Sequence, residues 1–140
     1  VKYDDSTWHF GGEFPEELDE RHAGIHIGMF LGWIIRRGLY SELLSDLAQD
    51  DILAVQNRLL TGTQFLQRVC DGKLTNEDLN EEANLFAQDY YASDDYIDDY
   101  SQAFIDIGPT LYHVTDDNAN ALKVEDFLDK AFQTWKISRG

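Results

Sequence analysis

The sequence predicts a mostly α-helical domain, a compact multi-helix fold around one central buried helix at about residues 22–37. Three observations predict it. Apolar residues recur at helical rather than strand spacing through most of the chain. The run from His22 to Arg37 is apolar nearly all round, as a helix covered on every side must be. The connections are short and carry Gly, Pro, Ser and Thr at the places where helices stop and start. With 140 residues, 43% of them hydrophobic and 13% aromatic, the chain can fill one core, so a single domain over 1–140 is expected.

Residues 1–15 read as an irregular segment packed on the domain, because "FGGEFPEELD" has loop punctuation. A short turn of helix is expected from Glu16 to Glu20. The central helix follows and stops at Gly38, with Arg36 and Arg37 at the negative end of its dipole. Ser41 caps a short helix through Leu47. A further helix covers Asp51 to Leu60 and ends at Gly62. Thr63 caps "QFLQRVCD", which stops at Gly72. Thr75 and Asp78 form a capping box for a helix whose inward stripe is Leu79, Ala83, Phe86 and Tyr90. From Asp94 to Ile107 the stripe is Ile97, Tyr100, Phe104 and Ile107, opposite Asp95, Asp98, Asp99, Gln102 and Asp106. Gly108-Pro109 ends it. Residues 111–114 read as a short extended segment, a connector or an edge strand. The last helix, Asn118 to Lys136, is expected to bury Leu122, Phe127 or Leu128, Ala131 and Trp135.

Gly24, Gly28 and Gly32 line one face of the central helix. Each costs about 1 kcal/mol of helix stability relative to alanine. Three at this spacing imply that another helix backbone comes close on that face. The apolar run is far short of the ~20 residues that span a bilayer, so no membrane segment is expected. On the opposite face His22 and His26 stand four apart, the spacing of a zinc-binding pair. Position 23 is alanine, so the general base of H-E-x-x-H is missing. The two histidines are therefore expected to pack in the core beside Trp33. A metal-dependent enzyme using His22 and His26, with His9 or His113 as further ligands, is the third-ranked reading.

No other chemistry is indicated. Asp116-x-Asn118-x-Asn120 opens like a calcium loop, but Ala121 and Phe127 stand where the turn glycine and bidentate glutamate belong. Thr115, Asp117 or Asn118 serves better as a helix cap. The single cysteine, Cys70, excludes an intramolecular disulfide and suits a reducing cytosol. It sits by Asp71 near a helix C-terminus, which raises a thiol pKa. No nucleophile elbow, P-loop or dinucleotide fingerprint is present. No catalytic residue and no cofactor is assigned, and the protein is read as not an enzyme.

The net charge is −16. Between Leu74 and Leu122 there is no lysine or arginine, against twelve Asp and Glu residues. Direct nucleic-acid binding is disfavoured, since phosphate neutralisation needs clustered cations. A basic protein partner would be steered in by this field. Within "DYYASDDYIDDY", Tyr90 and Tyr100 are expected in the core. Tyr91, Asp94, Asp95, Tyr96, Asp98, Asp99, Gln102 and Asp106 are expected to form the partner-binding surface, with the two tyrosines as exposed anchors.

Four stretches resemble a family of small, largely uncharacterised bacterial proteins: "YDDSTWHFGGEFP" at Tyr3 to Pro15, "HIGMFLGW" at His26 to Trp33, "CDGKLTNEDLNEE" at Cys70 to Glu82 and "FAQDYY" at Phe86 to Tyr91. Such proteins are associated with bacterial interference loci, where small acidic proteins act as immunity factors for secreted toxins. The resemblance implies a cytoplasmic immunity protein that neutralises a toxin domain, and it carries no binding residues over. A structural or regulatory interaction module, in homodimeric form for example, is the alternative.

Overall fold

A computed structural model describes residues 1–10 and 14–139. Among them are seven α-helices, three 3-10 turns and one two-stranded ribbon. Gly11 and Gly12 of the expected loop lie outside the described residues. The chain opens with strand β1 (Lys2–Asp5) and the one-turn helix α1 (Ser6–His9), not with an irregular segment. β1 pairs antiparallel with β2 (Lys73–Thr75), with Asp4 opposite Leu74 and a bulge between Lys2 and Asp4. Neither strand has the β-branched alternation that marks a strand locally. The pairing exists because α4 (Gly62–Cys70) delivers β2 to the start of the chain.

The central helix is α2 (Ile25–Arg36), led in by a 3-10 turn at Glu20–Gly24. Every residue from Ile25 to Ile35 is buried, as the all-round apolar pattern predicts. Ser41 caps α3 (Glu42–Gln56), its hydroxyl accepting from Leu44 N. This one helix joins the two expected before and after residue 50 across a kink at Ala48 (φ −147°, ψ 42°). Gly62 opens α4 where it was expected to end its predecessor. Thr61 is the cap: its hydroxyl accepts from Gln64 N while the Gln64 side chain accepts from Thr61 N. Thr63, the expected cap, is buried and donates to Asp116.

The glycine face of α2 meets the first turn of α4. A Cβ on Gly28 would overlap Thr63 Cα, and one on Gly32 would lie 3.3 Å from Gly62 Cα. A Cβ on Gly62 would sit 2.8 Å from Gly32 Cα. The close backbone approach expected from the Gly-x-x-x-Gly spacing is therefore present, and it needs glycine on both helices.

The Thr75–Asp78 box forms, but it closes a 3-10 turn at Asn76–Asp78. Asn80 caps α5 (Glu81–Tyr90), whose expected stripe of Leu79, Ala83, Phe86 and Tyr90 is buried throughout. α6 (Asp95–Ala103) is shorter than expected, and Ile107 beyond it is 48% exposed. Its buried stripe is Tyr96, Tyr100 and Phe104, one residue out of phase with the expected Ile97 at its start. Residues 111–113 form a 3-10 turn capped by Thr110 rather than an extended segment, with no described strand paired to it.

The last helix, α7 (Asn118–Arg139), starts with Asp117 accepting from Asn120 N. It buries Val124, Leu128 and Phe132, while Leu122 is 48% exposed and Phe127, Ala131 and Trp135 are half-buried. Its rotation is set by polar clasps to α2. Trp33 Nε1 donates to Asp129 (2.9 Å), and Arg36 and Arg58 both donate to Glu125 (2.9 and 2.8 Å). With Glu125 and Asp129 so engaged, the i, i+4, i+8 stripe from Val124 faces inward. No helix among the described residues is long and apolar enough to cross a membrane.

Gly28→Ala should destabilise the fold. Overpacking against backbone costs about 1–3 kcal/mol, more than the ~1 kcal/mol gained in helix propensity. Gly24→Ala should be close to neutral, since its nearest neighbour is the movable Gln67 amide at 3.1 Å. Urea unfolding of the two variants checks this. Equal midpoints would refute the close-approach account.

Candidate functional site

Two features carry chemistry. The first is the acidic face. Asp94, Asp95, Asp98, Asp99, Gln102 and Asp106 are all exposed on or beside α6. Asp95, Asp99 and Gln102 line an open groove of about 590 Å³ between α6 and α7, floored by Phe86, Phe127 and Trp135. Asp98 and Gln102 border a second hollow with Ile105. Part of the charge is used internally: Asp99 accepts from Tyr90 (2.6 Å), and Asp89 accepts from Trp135 Nε1 (2.8 Å). The two expected aromatic anchors are not on this face. Tyr91 and Tyr96 are 7% and 1% exposed. The pattern of four tyrosines among aspartates did not show which would turn inward. Their hydroxyls find partners inside, Tyr91 on Asp4 and Tyr96 on the His26 carbonyl, each at 2.5 Å. The apolar side chains exposed in this region are Ile105 (64%) and Ile107 (48%).

The second feature is a buried polar cluster that the sequence did not group, although it offered His26 and His9 as metal ligands together with His22. β1 supplies Asp4, α1 supplies His9, α2 supplies His26, and Tyr91 and Tyr112 close the sides. Asp4 Oδ1 accepts from His9 Nε2 (2.7 Å) and from Asp5 N (2.8 Å). The Tyr112 hydroxyl donates to His9 Nδ1 (2.9 Å). His26 Nε2 lies 3.4 Å from Asp4 Oδ2, near enough for charge interaction but not aligned as a hydrogen bond. The His9 and His26 rings meet edge to face at 4.5 Å. Burial raises the Asp4 pKa, but the facing His26 and His9 and the Tyr91 hydroxyl outweigh it and hold the carboxyl well below the usual range. Burial pushes the His26 pKa down, against the opposing pull of Asp4 beside it.

His22 does not join His26. Its Nδ1 donates to the Tyr112 carbonyl at 2.7 Å. His26 also does not pack beside Trp33, as expected, but against His9, Tyr100 and Tyr112. The fourth histidine, His113, pairs with the exposed Glu17 at 3.0 Å. Asp116 is occupied by the hydroxyls of Thr61 and Thr63. The Cys70 thiol is pushed far up by burial and by Asp78 beside it, so it is not a nucleophile at neutral pH.

Asp5, next to the cluster, gives a pH dependence. Burial opposes its ionisation, but bonds from Lys2 and from the Thr7 backbone and hydroxyl lower its pKa to about 2. An unfolded aspartate titrates near 3.9. The unfolded chain thus binds the proton first on acidification. The stability from this group is present above pH ~4 and is lost between there and pH ~2. Acid unfolding of Asp5→Asn should lack that part of the transition. A wild-type-like acid limb in the variant would refute the assignment.

No curated protein and no solved structure matches this chain. A family model described as a domain of unknown function (DUF7832) matches residues 2–114. That span contains the whole buried cluster and all of α6, and it stops before α7, although Val124, Leu128 and Phe132 complete the core. Matching most of its length, the chain belongs to the DUF7832 family.

Proposed function

We propose that this protein is a non-enzymatic binding protein that recognises a basic protein surface, and that its partner is a bacterial toxin domain neutralised in the cytoplasm. The observation that carries the reading is the acidic face. Asp94, Asp95, Asp98 and Asp106 are exposed on a stretch without a single lysine or arginine from Leu74 to Leu122. Their field draws in a cationic surface and sets the association rate. Ile105 and Ile107, exposed on the same stretch, offer the apolar contact that slows dissociation, in place of Tyr91 and Tyr96. A toxin whose active cleft binds nucleic acid presents such a basic surface.

The direct test is rescue. Co-expression with a toxic domain found in a neighbouring reading frame should restore growth to a host that the domain alone kills. No rescue would end the toxin reading. For the surface itself, the triple change Asp95→Asn, Asp98→Asn, Asp106→Asn should slow association with that domain about tenfold or more at low salt. The difference should shrink at 0.15 M salt, where the screening length is about 8 Å. An unchanged low-salt association rate would remove this face from the interface.

One observation favours a second reading, a self-associating module. Leu43 and Leu47, one turn apart on α3, are 49% and 70% exposed. Light scattering after size exclusion distinguishes the two: a stable dimer abolished by Leu47→Lys supports self-association, and a monomer rejects it.

A further inference from the structure

We infer that Asp4, His9 and His26 form a binding site for one first-row divalent metal ion, with two imidazole nitrogens and one carboxylate as donors. One donor atom of each residue lies within 4.8 Å of the other two. His9 Nε2 is 2.7 Å from Asp4 Oδ1, and His26 Nε2 is 3.4 Å from Asp4 Oδ2. Donors held at about 2.0–2.2 Å from one ion stand roughly 3–3.5 Å apart. Small side-chain rotations therefore bring the three onto a common centre.

His26 is the observation that points to a ligand. It is 1% exposed, and neither ring nitrogen has a hydrogen-bond partner. Buried polar atoms left this way are rare and call for an explanation. Its Nε2 faces the Asp4 carboxylate, where an ion would engage it. The charge of Asp4 points the same way. Among the described residues no lysine or arginine pairs with this buried carboxylate; of the basic side chains only the two histidines face it.

The outer partner of His9 fits as well. Metal-bound histidines donate their other ring N–H to an acceptor that fixes the tautomer. With Nε2 of His9 on the ion, its proton resides on Nδ1 and is donated to the Tyr112 hydroxyl 2.9 Å away. Tyr91 holds the carboxylate from the other side. The N2O donor set suits zinc and its first-row neighbours, whereas calcium and magnesium take oxygen. Three protein donors are also the number found in open zinc sites rather than closed structural ones. The site does not depend on the acidic face of α6 or on any partner.

The test uses the whole chain, stripped with chelator and titrated with Zn²⁺ by calorimetry, and with Co²⁺ by visible absorption. One equivalent should bind saturably, and Zn²⁺ should raise the melting temperature. His9→Gln, chosen because its side chain reaches solvent, should weaken binding more than about 100-fold, and Tyr112→Phe about 10–100-fold. His22→Gln and His113→Gln should leave it unchanged, with circular dichroism confirming that each variant is folded. Absence of a saturable one-equivalent site in the wild-type chain overturns the proposal whatever the variants do. So does a loss in His22→Gln or His113→Gln equal to that in His9→Gln, or undiminished binding by folded His9→Gln.

Discussion

The contact on which the rest of the structure depends is backbone against backbone, where Gly28 and Gly32 of α2 meet Gly62 and Thr63 of α4. Interior glycines weaken a helix by about 1 kcal/mol each, and here that loss allows two helices to touch without side chains between them. The consequence reaches beyond the pair. With α4 pressed onto α2, its C-terminal turn through Asp71 and Gly72 sends β2 back toward the start of the chain. β2 then holds β1 in register, with Asp4 opposite Leu74. The opposite face of α2 carries His26. One close approach thus places a carboxylate from the first strand and an imidazole from the central helix at the same buried point.

The two chemical features of the molecule sit differently in this frame. The buried cluster is held from several directions: β1, α1, α2, the end of α5 and the 3-10 turn at Leu111–His113 each give one side chain. The acidic face belongs to α6 and its flanks, fastened inward by Tyr96, Tyr100 and Phe104. The two are joined through Tyr96 and Tyr91. Tyr96 donates to the carbonyl of His26, and Tyr91, at the turn leading into α6, donates to Asp4. The aromatic side chains that seemed suited to a partner instead tie the acidic segment to the core.

Much of the fold was legible in local pattern. The all-round apolar run gave α2, the Leu79–Ala83–Phe86–Tyr90 stripe gave α5, and the Ser41 and Asp117 caps gave the starts of α3 and α7. The misses have a shared cause. The rotation of α7 is set by Arg36, Arg58 and Trp33, which lie far away in sequence, so Leu122 and Trp135 looked as inward-facing as Val124 and Phe132. The β1–β2 ribbon is four residues against three, and its polar "KYDD" strand is stabilised by its partner rather than by its own composition. Gly62 reads locally as a stop, and only its neighbour across the helix interface makes it a start.

The sequence by itself determined the helical class, the glycine face that demands a close neighbour, and a long segment rich in carboxylates and free of cations. Those are properties of spacing and composition, and they survive whatever the chain packs against. It also marked His26, with His22 as its companion and His9 only as one of two further candidates. Periodicity relates His26 to His22 one turn away, whereas the residues that face it, Asp4 and His9, come from a segment with no periodic relation to α2. Only the tertiary structure decided that grouping. Burial is a property of the assembled core, so it was settled there too that all four neighbouring tyrosines, Tyr90, Tyr91, Tyr96 and Tyr100, turn inward.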